Sequence, residues 1–328
     1  MFLTSPVFIA QSVFGFTALV LHGIIAILIG KNGIIFAGSF STIFCTSFFV
    51  NLVAFLTQLI SVGIPQNTCQ TCAFSHWFES NGSDYMLPNS VLSEMHAISV
   101  TMQIIQFFIT WVHAINNYIS CLERHVIDSL WRRCLPFIIF SIIILPFILT
   151  SSLFMKRVHF AYSESYNHYY ILQDDSNIII NLFTLILEIF LSVLTITAIV
   201  GAYFAMKWIS RNPRRIISYV CTVLFIIQLL VLLDDIIIQL HYFIPYHFYE
   251  VATLIKPYLS GMLTLIHPWI LIAVRQTIRN ALSSPFTIIM KPKTQVTRVV
   301  EISHPPRRNQ PIQQQQQRRR KRSTFSKI

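Results

Sequence analysis

Three carboxylates lie inside stretches of sequence that are otherwise apolar, and they are the residues best suited to bind a ligand. Glu188 interrupts the apolar run 178–206, and the pair Asp234 and Asp235 interrupts the run 216–240. An ionisable group in hydrocarbon costs about 2.5 to 3.5 kcal/mol on insertion scales, so each carboxylate should face other helices or a wet cavity. Neighbouring helix positions point about 100° apart, so Asp234 and Asp235 cannot both face the same point.

The residues alone allow two interpretations of these carboxylates. With Lys256 close to them in the expected arrangement, they form either a ligand site or an internal salt bridge that only holds helices together. Gln103 and Gln106 add two amides, because they lie in a long uncharged segment with more polar groups than lipid tolerates. The expected pocket therefore contains Gln103, Gln106, Glu188, Asp234 and Asp235.

The composition identifies the class of protein that must position these groups. Hydrophobic residues make up 54% of the 328 and charged residues 11%, and the mean hydropathy is +0.61. A soluble domain has about twice that share of charged residues, so the sequence predicts a polytopic membrane protein. The net charge of +11 does not indicate nucleic-acid binding, because 13 of the 24 Lys and Arg lie at or beyond Arg275.

Apolar runs of about 20 residues or more predict seven membrane-spanning helices. They cover 7–29, 34–62, 91–122, 134–154, 178–206, 216–240 and 251–274. The third contains 28 consecutive residues without a charge, from Met95 to Leu122, and is expected to be the central helix. The fold class is therefore an all-α membrane protein, a seven-transmembrane helix bundle. Residues 1–282, including a short amphipathic helix from Arg275, form the bundle domain, and 283–328 form a disordered Pro/Gln/Arg-rich cytoplasmic tail.

The charge distribution predicts an N-terminus outside the cell. With that orientation, 21 of the 24 Lys and Arg lie on the cytoplasmic side, as the positive-inside rule requires. Asn81-Gly82-Ser83, an N-glycosylation pattern, then lies in the first outside loop. The same loop contains Cys69 and Cys72, which either form a small disulfide or belong to a metal site. No further His or Cys completes a metal site, so we expect no metal and no cofactor.

Two short motifs lie near the cytoplasmic ends of spans. Glu123-Arg124-His125 follows the third span, where a permanently charged arginine can exchange a carboxylate partner for a docking protein, or can be simply interfacial. His267-Pro268 lies in the seventh span, where the proline removes a backbone hydrogen bond and forms either a functional hinge or an ordinary kink. The Arg-rich run 318–322 is expected to adhere to the anionic inner leaflet.

Together these features resemble a G-protein-coupled receptor. The segment 255–279, which reads IKPYLSGMLTLIHPWILIAVRQTIR, is similar to the last helix of nematode serpentine chemoreceptors, nearest to the gamma-class group and its relatives. The resemblance implies a plasma-membrane chemoreceptor, located in sensory cilia in some such proteins. Its partners would be an external small molecule or peptide and a heterotrimeric G protein, with Glu123, Arg124 and His125 in coupling and Pro268 as the hinge.

The sequence departs from rhodopsin-like receptors at three points, one of which is the absence of their Cys-Trp-x-Pro switch from the sixth span. The stretch 156–177 has no cysteine to bond with the third span, and His267 precedes the proline where an asparagine is usual. A multi-pass transporter or channel that uses Glu188, Asp234 and Asp235 is the alternative function. A zinc-dependent intramembrane hydrolase is a third, but the membrane histidines lack ligand spacing and no catalytic motif is present, so we expect no enzyme.

Overall fold

The computed structural model describes most of the predicted bundle. The described residues are 6–31, 38–72, 75, 87–122, 125–155, 158–163, 168–172, 178–208, 215–240, 243, 246–274 and 276–283. The chain divides into two units, Met1–Arg279 and Asn280–Ile328.

The described chain is a series of helices with one small hairpin. The helices are α1 (Pro6–Lys31), α2 (Gly38–Gln58), α3 (Ile64–Gln66), α4 (Leu87–Cys121), α5 (His125–Leu149), α6 (Ile178–Trp208), α7 (Arg215–Gln239), α8 (Tyr246–Val274) and α9 (Gln276–Ser283). A π-helical turn, Leu59–Gly63, joins α2 to α3, and a 3₁₀ turn, Ser151–Met155, follows α5. Strands β1 (His159–Ser163) and β2 (His168–Leu172) pair antiparallel, with His159 opposite Leu172.

Among the described residues, six helical spans are long and apolar enough to cross a membrane. They are Phe8–Ile29, Ser39–Gln66, Val91–Cys121, Val126–Leu149, Ile179–Lys207 and Tyr219–Gln239. Helix α8 is the seventh long helix, and its 29 residues also exceed the bilayer's requirement of about 20. The fold is that of a helical membrane protein, as the sequence predicted.

Helix α4 lies at the centre of the bundle. In the most apolar stretch of α4, 67% of the residues are buried inside the protein. The corresponding share for α5 is 17%. Ile104, Ile105 and Phe107 are at most 1% exposed and belong to the main apolar core. That core also receives side chains from α2, α5, α6, α7 and α8. Because α4 touches α2, α5, α6, α7 and α8, a change at one end of it can reach most of the bundle.

Two local features differ from the expectation. The fourth span was expected to begin at Cys134, but α5 begins nine residues earlier at His125. The charged segment is helical because Asp128 and Arg132 pair one turn apart at 2.6 Å and because Trp131 is buried, its Nε1 donating to Asn116 Oδ1 of α4 at 3.0 Å. The second difference is the β1–β2 hairpin, which lies in a segment expected to be a loop.

Helix α1 approaches α2 and the π-helical turn that follows it very closely, in each case at a glycine. A methyl group at Gly15 would overlap the ring of the buried Phe55, and one at Gly63 would lie 2.9 Å from the Phe8 ring. Phe16 also packs edge-on against Phe55, with ring centroids 5.3 Å apart. Glycine is therefore needed at these two positions, because any larger residue would keep the helices apart.

We predict that Gly15→Ala destabilises the protein although alanine is the better helix former. The overlap with Phe55 should cost about 1 to 3 kcal/mol, typical of overpacking, which exceeds the gain in helix propensity. The measurement is the midpoint of thermal unfolding in detergent. Gly23→Ala is the matched control, because its added carbon would lie 3.3 Å from the Phe48 ring and needs only a small shift. An equal midpoint for wild type and Gly15→Ala would contradict the close approach.

Candidate functional site

A cavity of about 200 Å³ lies among the helices at one end of the bundle. This is the end where α3 finishes, α4 and α6 begin, α7 finishes and α8 begins, which the sequence predicts to be outside. Residues from the π-helical turn, α4, α6, α7, α8 and the hairpin all line the cavity. A concave site with a few polar groups among apolar ones is the usual form of a small-molecule site.

The amide of Gln103, on the central helix, connects the two carboxylates of the cavity wall. Its Nε2 donates to Glu188 Oε1 of α6 at 3.0 Å and to Asp235 Oδ2 of α7 at 2.6 Å. Both donors of the amide are thus used on acids. Glu188 is 4% exposed and Asp235 7%, so these bonds replace the water that each carboxylate lost on burial.

Lys256 extends the same network to α8. Its Nζ lies 2.7 Å from Asp235 Oδ1, and the two side chains are 37% and 10% exposed. One carboxylate oxygen of Asp235 therefore accepts from the ammonium of Lys256, and the other accepts from the amide of Gln103. Glu188, in contrast, has no ion pair among the described residues. Four helices are joined by this chain of polar contacts, all of it in the cavity wall.

Amide side chains also satisfy the backbone of α8 where proline interrupts it. Pro257 has no N–H, so the carbonyl of Thr253 loses its partner in the helix. Gln66 Nε2 donates to that oxygen at 3.2 Å. Gln58 Nε2 donates to the carbonyl of Pro257 itself, also at 3.2 Å. Gln58 and Gln66 lie on either side of the π-helical turn, so that turn holds both amides against α8.

The hairpin covers part of the cavity. Tyr169 and Ile171 of β2 line it, and Phe160 and Tyr169 pack against Leu92 near the start of α4. The backbone N–H of Val158 donates to Ser93 Oγ at 2.8 Å, which ties the hairpin to the same helix. An aromatic strand pair of this kind excludes water from one side of the site.

A second polar layer lies deeper in the bundle and contains Gln106. Its Nε2 donates to Asn51 Oδ1 at 3.2 Å and to Thr264 Oγ1 at 2.8 Å. His267 also lies there, with its ring centroid 5.8 Å from that of His113 and 6.0 Å from that of His22. Among the described residues no three His, Cys, Asp or Glu are placed to hold a metal ion.

The structure brings together three of the five expected pocket residues, Gln103, Glu188 and Asp235. Gln106 belongs to the deeper layer, and Asp234 is buried beside Asp235 but is not part of the cavity lining. This separation agrees with helix geometry, because neighbouring positions point about 100° apart and the two aspartates cannot both face the cavity.

The other expected sites have different outcomes. Cys69 and Cys72 form a disulfide bond, and His267 and Pro268 are buried within α8. Glu123, Arg124, the side chain of His125 and the glycosylation pattern at Asn81 lie outside the described residues, as does the basic run 318–322.

Sequence reasoning missed several residues of the site, among them Gln58, Gln66 and His96. Gln58 and Gln66 carry a weak signal, since amides are rare at the end of an apolar run. The pairing of Gln66 with Thr253 joins positions 187 residues apart, and no spacing rule indicates it.

A bundle of long apolar helices around a polar cavity at one end defines the class: a serpentine membrane receptor. The family model of the Srg family chemoreceptors matches residues 8–282, so the chain belongs to that family. It is 21% identical over 294 residues to serpentine receptor class gamma-31 of Caenorhabditis elegans, covering 86% of this chain and 93% of that protein. The chain is therefore a multi-pass plasma-membrane protein of the chemoreceptor class. This assignment does not favour the transporter or channel alternative.

We predict that Lys256→Met destabilises the receptor because Asp235 keeps a buried charge without its ammonium. The cost should be about 1 to 3 kcal/mol, between the values for exposed and for buried pairs. Thermal unfolding of the two single variants, Lys256→Met and Asp235→Asn, and of the double variant measures the coupling. The double variant should lose less than the sum of the two single losses. Strict additivity would show that the pair contributes nothing.

Proposed function

We propose that this chain is a G-protein-coupled chemosensory receptor whose external ligand binds in the cavity at the outer end of the bundle. The observation that carries the proposal is the polar chain of Glu188, Gln103, Asp235 and Lys256, which joins four helices in the cavity wall. A ligand that competes for any of these groups changes how α4, α6, α7 and α8 are held together. It therefore has the differential contacts that are needed to shift a population of conformations.

The size of the cavity supports a small molecule as the ligand. Pockets for drug-sized ligands have volumes of roughly 300 to 1,000 Å³, and this one measures about 200 Å³. A peptide of several residues exceeds that space. The lining combines apolar groups, such as Val100 and Leu185, with hydroxyls of Ser99 and Thr184, which suits a compact molecule with one or two polar groups.

The central helix is the means of transmission to the inner side. Helix α4 has 35 residues, which at 1.5 Å per residue gives about 52 Å, more than the thickness of the bilayer core. It carries Gln103 in the cavity and Gln106 in the deeper layer, and Glu123-Arg124-His125 follows it in the sequence. A heterotrimeric G protein would contact Arg124 in the active conformation, and the hinge at His267-Pro268 would allow the inner part of α8 to move.

We predict that wild-type membranes stimulate nucleotide exchange on a heterotrimeric G protein and that Arg124→Ala reduces this stimulation by about tenfold or more. A coupling free energy of 1 to 3 kcal/mol corresponds to such a factor. The measurement is GTP-analogue binding to G protein, with membranes adjusted to equal receptor at the surface. Basal exchange is sufficient, so no ligand needs to be known.

Arg132→Ala serves as the matched control for this experiment. Arg132 is exposed and pairs with Asp128 through a 2.6 Å contact in the first turns of α5, so its loss removes a second arginine from the same predicted side. The proposal expects exchange to survive in Arg132→Ala. If Arg124→Ala couples as well as wild type, Arg124 has no part in coupling and the proposed mechanism is wrong.

A further inference from the structure

The charged groups in the cavity wall are unequal in number. Among the described lining residues, Glu188 and Asp235 are acids and Lys256 is the permanent cation. Lys256 contacts Asp235 and not Glu188. Asp234, buried next in sequence, adds a third carboxylate near the wall, and its Oδ2 has no hydrogen-bond partner. The site is thus at least one positive charge short of balance.

The partners of the two lining acids show the same shortage. Glu188 and Asp235 both accept from Nε2 of Gln103, which is a neutral amide. Asp235 also accepts from the ammonium of Lys256. Among the described residues, Glu188 is therefore the buried acid of the wall that has an amide but no ammonium beside it.

The other cavity residues fit the remainder of a cationic ligand. His96 lines the cavity and has a buried Nδ1 without a hydrogen-bond partner, and a neutral imidazole nitrogen can accept from an N–H group. Tyr169 offers an aromatic ring from the hairpin, which favours a nearby cation. Val100, Leu185 and Ile171 supply apolar surface. Among the described lining residues, the permanent cation available to an anionic ligand is Lys256, and its charge is already paired with Asp235.

We propose that the cavity binds a small organic cation, a protonated amine with a compact apolar body, whose ammonium group lies against Glu188. This assignment of a ligand class rests on the proposed function, since it takes the cavity as the receptor's ligand site. The ammonium donates to Glu188 and supplies the positive charge that the described cavity wall lacks. The apolar body lies between α4, α6 and the hairpin.

The test uses sets of probes that share a body and differ only in charge. One set is benzylamine, benzyl alcohol and benzoate, and a second is n-butylamine, n-butanol and butyrate. Purified full-length receptor in nanodiscs is heated with each probe over a range of concentrations. Because a ligand that binds only the folded state raises its unfolding midpoint, the amine of at least one set should raise it at concentrations where its alcohol and its acid do not.

Two isosteric substitutions decide whether the effect comes from the assigned group. Glu188→Gln keeps the size of the side chain and removes its charge, so apparent affinity for the amine should fall by about tenfold or more. Glu94→Gln makes the same chemical change on an exposed residue of α4 that does not line the cavity. It should respond to the amine as wild type does, which excludes a general effect of surface charge.

Three results would overturn the assignment. In the first, no amine stabilises the wild type more than its alcohol; in the second, Glu188→Gln keeps the full amine effect. In the third, the acids stabilise best and lose their effect in Lys256→Met, which would assign an anionic ligand. Because the readout is binding alone, nucleotide exchange remains an independent test: amine binding without exchange removes the G-protein function and keeps the ligand class.

Discussion

The structure depends on the high free-energy cost of leaving a carboxylate or amide inside the bundle without a partner. Water is absent from the bilayer core, so the cost of an unpaired carboxylate or amide is high. Gln103 avoids that cost for two helices at once, since its amide reaches Glu188 on α6 and Asp235 on α7. The position of the central helix relative to its neighbours is therefore set by hydrogen bonds as well as by packing.

The membrane class and most helices could be predicted because they depend on local composition. Long uncharged runs identify spans regardless of what packs against them. The start of α5 was not predicted, because Asp128 and Arg132 look like a surface loop until their one-turn spacing and the burial of Trp131 are seen together. The hairpin was missed for a similar reason: five-residue strands with mixed polarity carry little signal without their partner strand.

The site was predictable only in part. Polar groups inside apolar runs predicted Glu188, Asp235 and Gln103 as pocket residues, and the structure places all three in the cavity lining. Which of Asp234 and Asp235 faces the cavity depends on the rotation of α7, and no property of the two residues decides it. Gln58 and Gln66 join the site through backbone oxygens of α8. Every residue has a backbone oxygen, so no sequence motif identifies the two that bind these amides.

The π-helical turn at Leu59–Gly63 also determines which face of the next turn meets α8. A π turn contains about one residue more than an α turn and so rotates everything after it by roughly 100° relative to an uninterrupted helix. Gln66 reaches Thr253 only with this change of phase. Loss of a single residue between 59 and 63 would restore a regular α-helix and point Gln66 away from α8. The number of residues in this segment is thus as strict a constraint as their identity.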